Sequence, residues 1–371
     1  MASIPEIYGK PGHNGGSPTL LEKLDLAPAL MSVFGTGLWQ LLSGPFRGDQ
    51  GSDTYKHHIT HAFLRKFTVR LNSRQIHYLA PPLRTLYKQY CAAHASTPNI
   101  VTLKSGIDAF WVGSPDAKQV IIYFHGGGFS LDGGAEHLNY WGQDIGKHLN
   151  DKTPNAVSFL FLAYTLVPYA TYPTQIREAV EALEYLTGNL KRSPSTISLA
   201  GDSAGGNMCL AVLSHLLHPH PDLPLLKLDS PLKSLILVAP WTSFRTDFPS
   251  AKTNAHRDIV SVEISRRWST AYLAGAASTP YAEALDVDGD WWKGADTRVD
   301  QILCVVGSDE LLLDPITQWV AKYRTATSEG HLEFVVGYRE IHIAPLIEPF
   351  LADAVPTQQG EAIKSFLEAR L

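Results

Sequence analysis

Gly201-Asp202-Ser203-Ala204-Gly205 sits between an apolar run, Ile197–Ala200, and a helix-forming stretch, Ala204–Leu217. A serine between glycines at a strand-to-helix turn is a nucleophile elbow. The glycines lack Cβ atoms that would collide with neighbouring backbone, so the hydroxyl projects at the carboxyl edge of a sheet. The helix that begins at Ala204 turns its N-terminal N–H groups and positive dipole end towards the same place. An ordinary Gly/Ser-rich helix start or a phosphate-binding turn would use similar residues. A second motif upstream separates these readings. His125-Gly126-Gly127-Gly128-Phe129 ends the run Val120–Phe124. Acyl transfer turns a carbonyl into an oxyanion, and consecutive glycines bring bare N–H donors to where that charge appears; losing one such donor typically costs about 10²–10³ in rate. The N–H groups of Gly127, Gly128 and Ala204 are the candidate oxyanion hole. His125 reads as a loop-holding residue and Asp202 as a residue that steadies both motifs. A phosphate cradle is disfavoured, because no Lys-Ser/Thr follows and no GxGxxG spacing occurs.

These two motifs need a sheet beneath them, and the chain supplies one. From about Ile107, short β-rich runs alternate with helical patterns, as in βαβ units. Strands are expected at 120–124, 156–163, 197–200, 234–239, 301–306 and 332–336. Helices are expected at 82–95, 174–186, 204–217 and 356–371; in the second of these, Ile176, Ala179, Val180, Leu183 and Leu186 share one face. Residues 241–300 are rich in Trp, Asp and Gly and less periodic, which suggests an excursion over the sheet. The expected architecture is a doubly wound, mostly parallel α/β core. Residues 1–106 form a helical N-terminal cap and lead-in, and 107–371 a catalytic domain with a cap or lid insertion at about 241–300.

HGGGF followed about 75 residues later by GDSAGG resembles the hormone-sensitive-lipase-like branch of the α/β-hydrolases. So does Tyr164-Thr-Leu-Val-Pro168…Tyr172-Pro173 between the two motifs. The resemblance covers roughly 110–370 and implies the α/β-hydrolase fold and a carboxylesterase activity, with a triad in the order Ser, acid, His. The family's base lies in the loop before the terminal helix, where this chain has Glu340-Ile341-His342-Ile343-Ala344. His342 is therefore the expected base, with His331 its distant rival. Ile343 departs from the Gly or Ala usual after that histidine. The family's acid occurs as Asp/Glu-x-Leu-x-Asp, which Glu310-Leu311-Leu312-Leu313-Asp314 fits. Glu310 is favoured and Asp309 is the runner-up; Asp314 caps the helix that Pro315 opens.

Composition bounds the alternatives. The chain has 371 residues, 44% hydrophobic, and 31 Lys+Arg against 36 Asp+Glu, a net charge of −5. That is core material for a large globular unit and gives no basic surplus for nucleic acid. Cys91, Cys209 and Cys304 cannot all pair internally, and no Asn-x-Ser/Thr sequon or signal-like N-terminus is present. A cytoplasmic protein with buried free thiols is expected. No HExxH, CxxC or EF-hand spacing occurs, so no cofactor or metal is expected. Leu26–Phe46 carries no charge and approaches the length of a spanning helix. Pro28, Gly35, Gly37 and Pro45 interrupt it, so a buried or substrate-facing cap helix is expected, with shallow lipid docking as the remaining option. Trp291-Trp292 and Leu38-Trp39 are candidates for an acyl pocket, with plain packing as the alternative. The expected function is a serine hydrolase acting on a small-molecule ester. The alternatives are a biosynthetic enzyme performing condensation, cyclisation or lactone chemistry on the same scaffold, and a non-catalytic receptor. The receptor reading is weakened by the histidine at the base position.

Overall fold

In a computed structural model that describes residues 17–351 and 355–370, eight strands form one sheet. They are β1 (Asn99–Thr102), β2 (Asp108–Val112), β3 (Gln119–Phe124), β4 (Val157–Leu162), β5 (Ile197–Asp202), β6 (Leu232–Val238), β7 (Val299–Gly307) and β8 (Leu332–Gly337). Their spatial order is β1-β2-β4-β3-β5-β6-β7-β8. β1 and β2 pair antiparallel, as do β2 and β4; every other pairing is parallel. The central strands are continuous apolar runs because helices cover both faces of a parallel sheet. Thus β4 is buried along its whole length, whereas the edge strand β8 is buried only at its ends. The expected strands and helices fall on the observed ones to within a few residues, and the helix Ala204–Leu217 matches to the residue.

Two differences stand out. β1 lies inside the segment expected to be cap. It is four residues long and partly exposed throughout, so it carries no apolar alternation to announce it. The stretch Leu26–Phe46 departs further from expectation. It belongs to an unbroken helix, α1 (Leu20–Ser43), which runs straight through Pro28. It is neither buried nor substrate-facing: within α1 only Ala29 and Val33 are buried, while Met31, Phe34, Leu38, Trp39 and Leu42 are exposed. Local glycines and a proline near the helix start lower propensity without overriding a long apolar register.

Among the described residues, three shorter α-helices follow in the N-terminal region: α2 (Tyr55–Arg70), α3 (Ser73–Leu79) and α4 (Leu83–Ala93). In α4, Leu83, Tyr87 and Cys91 recur at helical spacing and are the buried face. α2 packs on the helix Val262–Leu273, which belongs to the insertion between β6 and β7. Arg267 of that insertion donates to the carbonyls of Thr68, Val69 (2.8 Å) and Leu71 (2.9 Å). One guanidinium thus satisfies the orphan acceptors at the end of α2 and fixes it over the sheet's carboxyl edge.

Candidate active site

β5 ends at Asp202, and the chain turns within one residue into the helix Ala204–Leu217. Ser203 sits at that turn with φ 53° and ψ −115°, a conformation that costs a non-glycine residue about 1–3 kcal/mol. The turn closes so tightly that a Cβ on Gly205 would strike the carbonyl of Phe124 in the neighbouring strand. Ser203 N–H donates to Val238 O at 2.9 Å and Ser203 O accepts from Trp241 N–H at 2.9 Å, so the end of β6 and the loop after it hold the strained residue on both sides.

The glycine loop after β3 is tied to this elbow by Asp202. Its Oδ1 accepts from Gly126 N–H at 2.9 Å and from the Tyr123 hydroxyl. His137 brings Nε2 to 3.6 Å from Asp202 Oδ2. Burial opposes the aspartate's charge, and His137 and Tyr123 outweigh it, holding the carboxyl below its ordinary pKa. His125 stacks on Tyr164 with ring centroids 4.3 Å apart, and the Tyr164 hydroxyl donates to His125 O at 2.7 Å. It is a loop-holding residue. Among the described residues, neither Gly127 nor Gly128 N–H has an acceptor. Ala204 N–H, at the first position of its helix, is of the kind that has no intrahelical partner. Gly128 has φ +60°, and a Cβ there would run into the Trp268 ring.

Ser203, Gly127 and His342 line one cavity of about 170 Å³; Gly128 and Ala204 flank it without forming its wall. Leu64 and Thr68 from α2, with Ile259 and Trp268 from the insertion, cover it. His342 is buried and its Nδ1 lies 2.8 Å from Glu310 Oε2. A carboxylate at Nδ1 leaves Nε2 as the outward-facing nitrogen. Among the described residues no hydrogen bond joins Ser203 Oγ to Nε2; such bonds often tighten only when substrate is bound. Burial works against the imidazolium, but the hydrogen bond and charge of Glu310, then Asp258 and Asp202, outweigh it and raise the His342 pKa above its ordinary value. Glu310 also accepts from Gly307 N–H, and burial pushes its carboxyl up.

The other candidates lie elsewhere. Asp309 faces Arg339 (3.3 Å) and Arg257 (3.4 Å), away from the imidazole. His331 bonds Val299 O at 2.8 Å and packs on Tyr323. Asp314 lies inside the helix Leu313–Arg324 and does not cap it; its carboxylate accepts instead from Ser250 N–H at 2.7 Å. Trp292 is packed against Trp319 and Tyr323, Trp291 donates to Ser214 Oγ, and Leu38 and Trp39 are exposed on α1, so none of them forms the cavity wall.

Nothing in the local sequence marks Asp258. It is fully buried, and Oδ1 accepts from Ile259 N–H (2.7 Å) and His342 N–H (3.2 Å) while Oδ2 accepts from Leu311 N–H (2.7 Å). One carboxylate from the insertion therefore ties the loop carrying Glu310 to the loop carrying His342. It lies in the aperiodic stretch 241–300, where spacing carries no signal. No local pattern marks His137 either.

The model of the alpha/beta hydrolase fold family matches residues 121–343, more than half of the chain. The chain belongs to the α/β-hydrolase fold family. Within that family it resembles the hormone-sensitive-lipase-like branch. It is 32% identical to human hormone-sensitive lipase over 105 residues, 27% of this chain and 9% of that protein. It is 28% identical over 199 residues to an acetyl-hydrolase of Streptomyces hygroscopicus, covering 53% of this chain and 58% of the relative. The chain thus spans less than two thirds of these relatives' own length. Among solved structures, that of EstE5 soaked with p-nitrophenyl butyrate superposes with a TM-score of 0.58 at 27% identity, covering 78% of this chain and 92% of EstE5.

Proposed function

We propose that this α/β-hydrolase is a serine esterase that cleaves small carboxylic esters through an acyl-enzyme. The observation that carries the reading is the buried Glu310–His342 pair, whose imidazole shares a cavity with the strained Ser203. Nε2 of His342 takes the Ser203 proton as Oγ attacks the ester carbonyl, and the N–H groups of Gly127, Gly128 and Ala204 receive the oxyanion. His342 then protonates the departing alcohol, and a water activated by the same nitrogen releases the acid. Glu310 holds the tautomer and balances the imidazolium. The catalytic unit is residues 107–371 with β1 added to its sheet; α2 and the insertion at about 241–300 act as the cap. At about 170 Å³ the cavity falls below the roughly 300–1,000 Å³ usual for drug-sized ligands, which supports short acyl chains. Esterase and acetyl-hydrolase are names carried by its relatives, and EstE5 was soaked with p-nitrophenyl butyrate, so that ester is the first substrate to try.

The test is Ser203→Ala against p-nitrophenyl acetate and butyrate, with fluorophosphonate labelling of the wild-type protein. We expect loss of at least about 10⁴-fold in kcat and a label on Ser203 alone. Equal turnover in the variant overturns the reading, and an unlabelled, inert wild type points to bond-forming chemistry instead.

Two further parts of the reading concern surroundings. The three cysteines are free and buried, which supports a reducing, intracellular setting. We also propose that α1 rests on a lipid surface. It is the one helix among the described residues long and apolar enough to cross a membrane, and Met31, Phe34, Leu38 and Leu42 form an exposed stripe along it.

A further inference from the structure

His57 and His61 are four residues apart on α2, and Glu348 lies on the helix Ala344–Phe350 that directly follows His342. Four-residue spacing puts both imidazoles on one helix face, and their rings stack with centroids 5.2 Å apart at 13°. One ligand atom from each of the three side chains lies within 4.8 Å of the others. His57 Nε2 is 3.0 Å from Glu348 Oε2, and His61 Nε2 is 3.8 Å from Glu348 Oε1. Around one tetrahedral ion with bonds of about 2.0–2.2 Å, ligand atoms sit roughly 3.4 Å apart.

An ion pair accounts for His57 and Glu348 but leaves His61 unexplained. His61 is 1% exposed, and its Nδ1 lies 2.9 Å from Arg257 O and 3.1 Å from Ser52 Oγ. A carbonyl can only accept, so Nδ1 carries the proton and Nε2 presents a lone pair. That Nε2 is buried and without a hydrogen-bond partner among the described residues. It is turned towards a carboxylate oxygen, which also presents lone pairs. Two acceptors facing each other in a dry site call for a cation between them. A ring N–H anchored on a backbone carbonyl, with the opposite nitrogen aimed at a carboxylate, is the arrangement that prepares a histidine to bind a metal.

We propose that His57, His61 and Glu348 bind a divalent transition-metal ion of the zinc class. Two imidazoles and one carboxylate suit Zn²⁺ and leave a position for water. The ion does no acyl chemistry. It clasps α2, which supplies Leu64 and Thr68 to the cavity roof, to a helix that starts two residues after His342. The absence of HExxH or CxxC spacing hid it, because the third ligand is nearly 300 residues away in the chain.

The experiment uses the full chain, stripped with chelator and titrated with Zn²⁺ by calorimetry and with Co²⁺ by visible absorption. We expect one equivalent to bind, a cobalt spectrum of a four-coordinate site, and a raised unfolding midpoint. His61→Gln and Glu348→Gln each weaken binding by at least about 100-fold, beyond the roughly tenfold to 100-fold that loss of an outer-shell partner costs. His58→Gln, on the same helix as the two histidines but with its wild-type ring bonded to Gln40 of α1 at 2.8 Å, leaves binding unchanged. Absence of stoichiometric binding in the wild-type protein overturns the proposal, even if a ligand variant fails to fold. Binding that survives both ligand substitutions overturns it as well.

Discussion

At the scale of single residues, the proposed ester cleavage depends on how long one imidazole stays neutral. The His342 pKa lies above its ordinary value because Glu310 outweighs burial, and a general base works only when unprotonated. Activity should therefore climb with pH through an apparent pKa above that of an ordinary imidazole and level off on the alkaline side. Glu310→Gln removes the carboxylate charge that raises the imidazole pKa and weakens the hydrogen bond to Nδ1, so the acid limb should move to lower pH while kcat falls by roughly 10³–10⁴. A pH–rate profile of kcat/KM checks both; an acid limb that stays put would show that Glu310 does not set the imidazole's charge. Both partners were legible in the sequence, because elbow, glycine loop and Glu-x-Leu-x-Asp are local patterns in which neighbours dictate geometry. Asp258 was not. Its role consists of three backbone N–H groups brought from Ile259, Leu311 and His342, and no local spacing encodes such a meeting.

At the scale of elements, the buried face of a helix can hide a titrating group. Glu178, on the helix Thr174–Glu184, is fully buried and accepts from both the N–H and the hydroxyl of Thr165 at 2.7 Å. Burial outweighs those bonds and lifts its carboxyl to about 7. Between pH 4.5 and 7 the folded chain keeps this proton while the unfolded chain has released it. Stability should therefore fall as pH rises through that window, by on the order of 3 kcal/mol from this group alone. Glu178→Gln keeps an acceptor and removes the charge. Relative to wild type it should gain little at pH 5 and most at pH 8, as measured by denaturant midpoints. A constant difference across that range would refute the assignment. Strands and helices of the core were legible because their apolar runs are long. β1 was not, since four half-exposed residues acquire strand structure only from the partner beside them.

At the scale of the whole molecule, α1 gives the protein an apolar side that its own core does not cover. Burying a large side chain is worth about 1.5–3 kcal/mol, so Phe34→Glu with Leu38→Glu should cut binding to phosphatidylcholine–phosphatidylserine vesicles at least about tenfold in a flotation assay, with the folded core intact. Wild-type protein that stays off vesicles and sediments as a dimer would assign the stripe to a second copy instead. Leu26–Phe46 was legible as uncharged and apolar, but its outward orientation depends on which side of α1 meets α2, a tertiary matter. The same wholeness governs the roof over Ser203. Because Asp258 belongs to the covering insertion and yet braces both loops behind the imidazole, the enclosure and the machinery share a strut. A roof swung fully aside would take that strut with it, so opening the pocket would also loosen the pairing of Glu310 with His342.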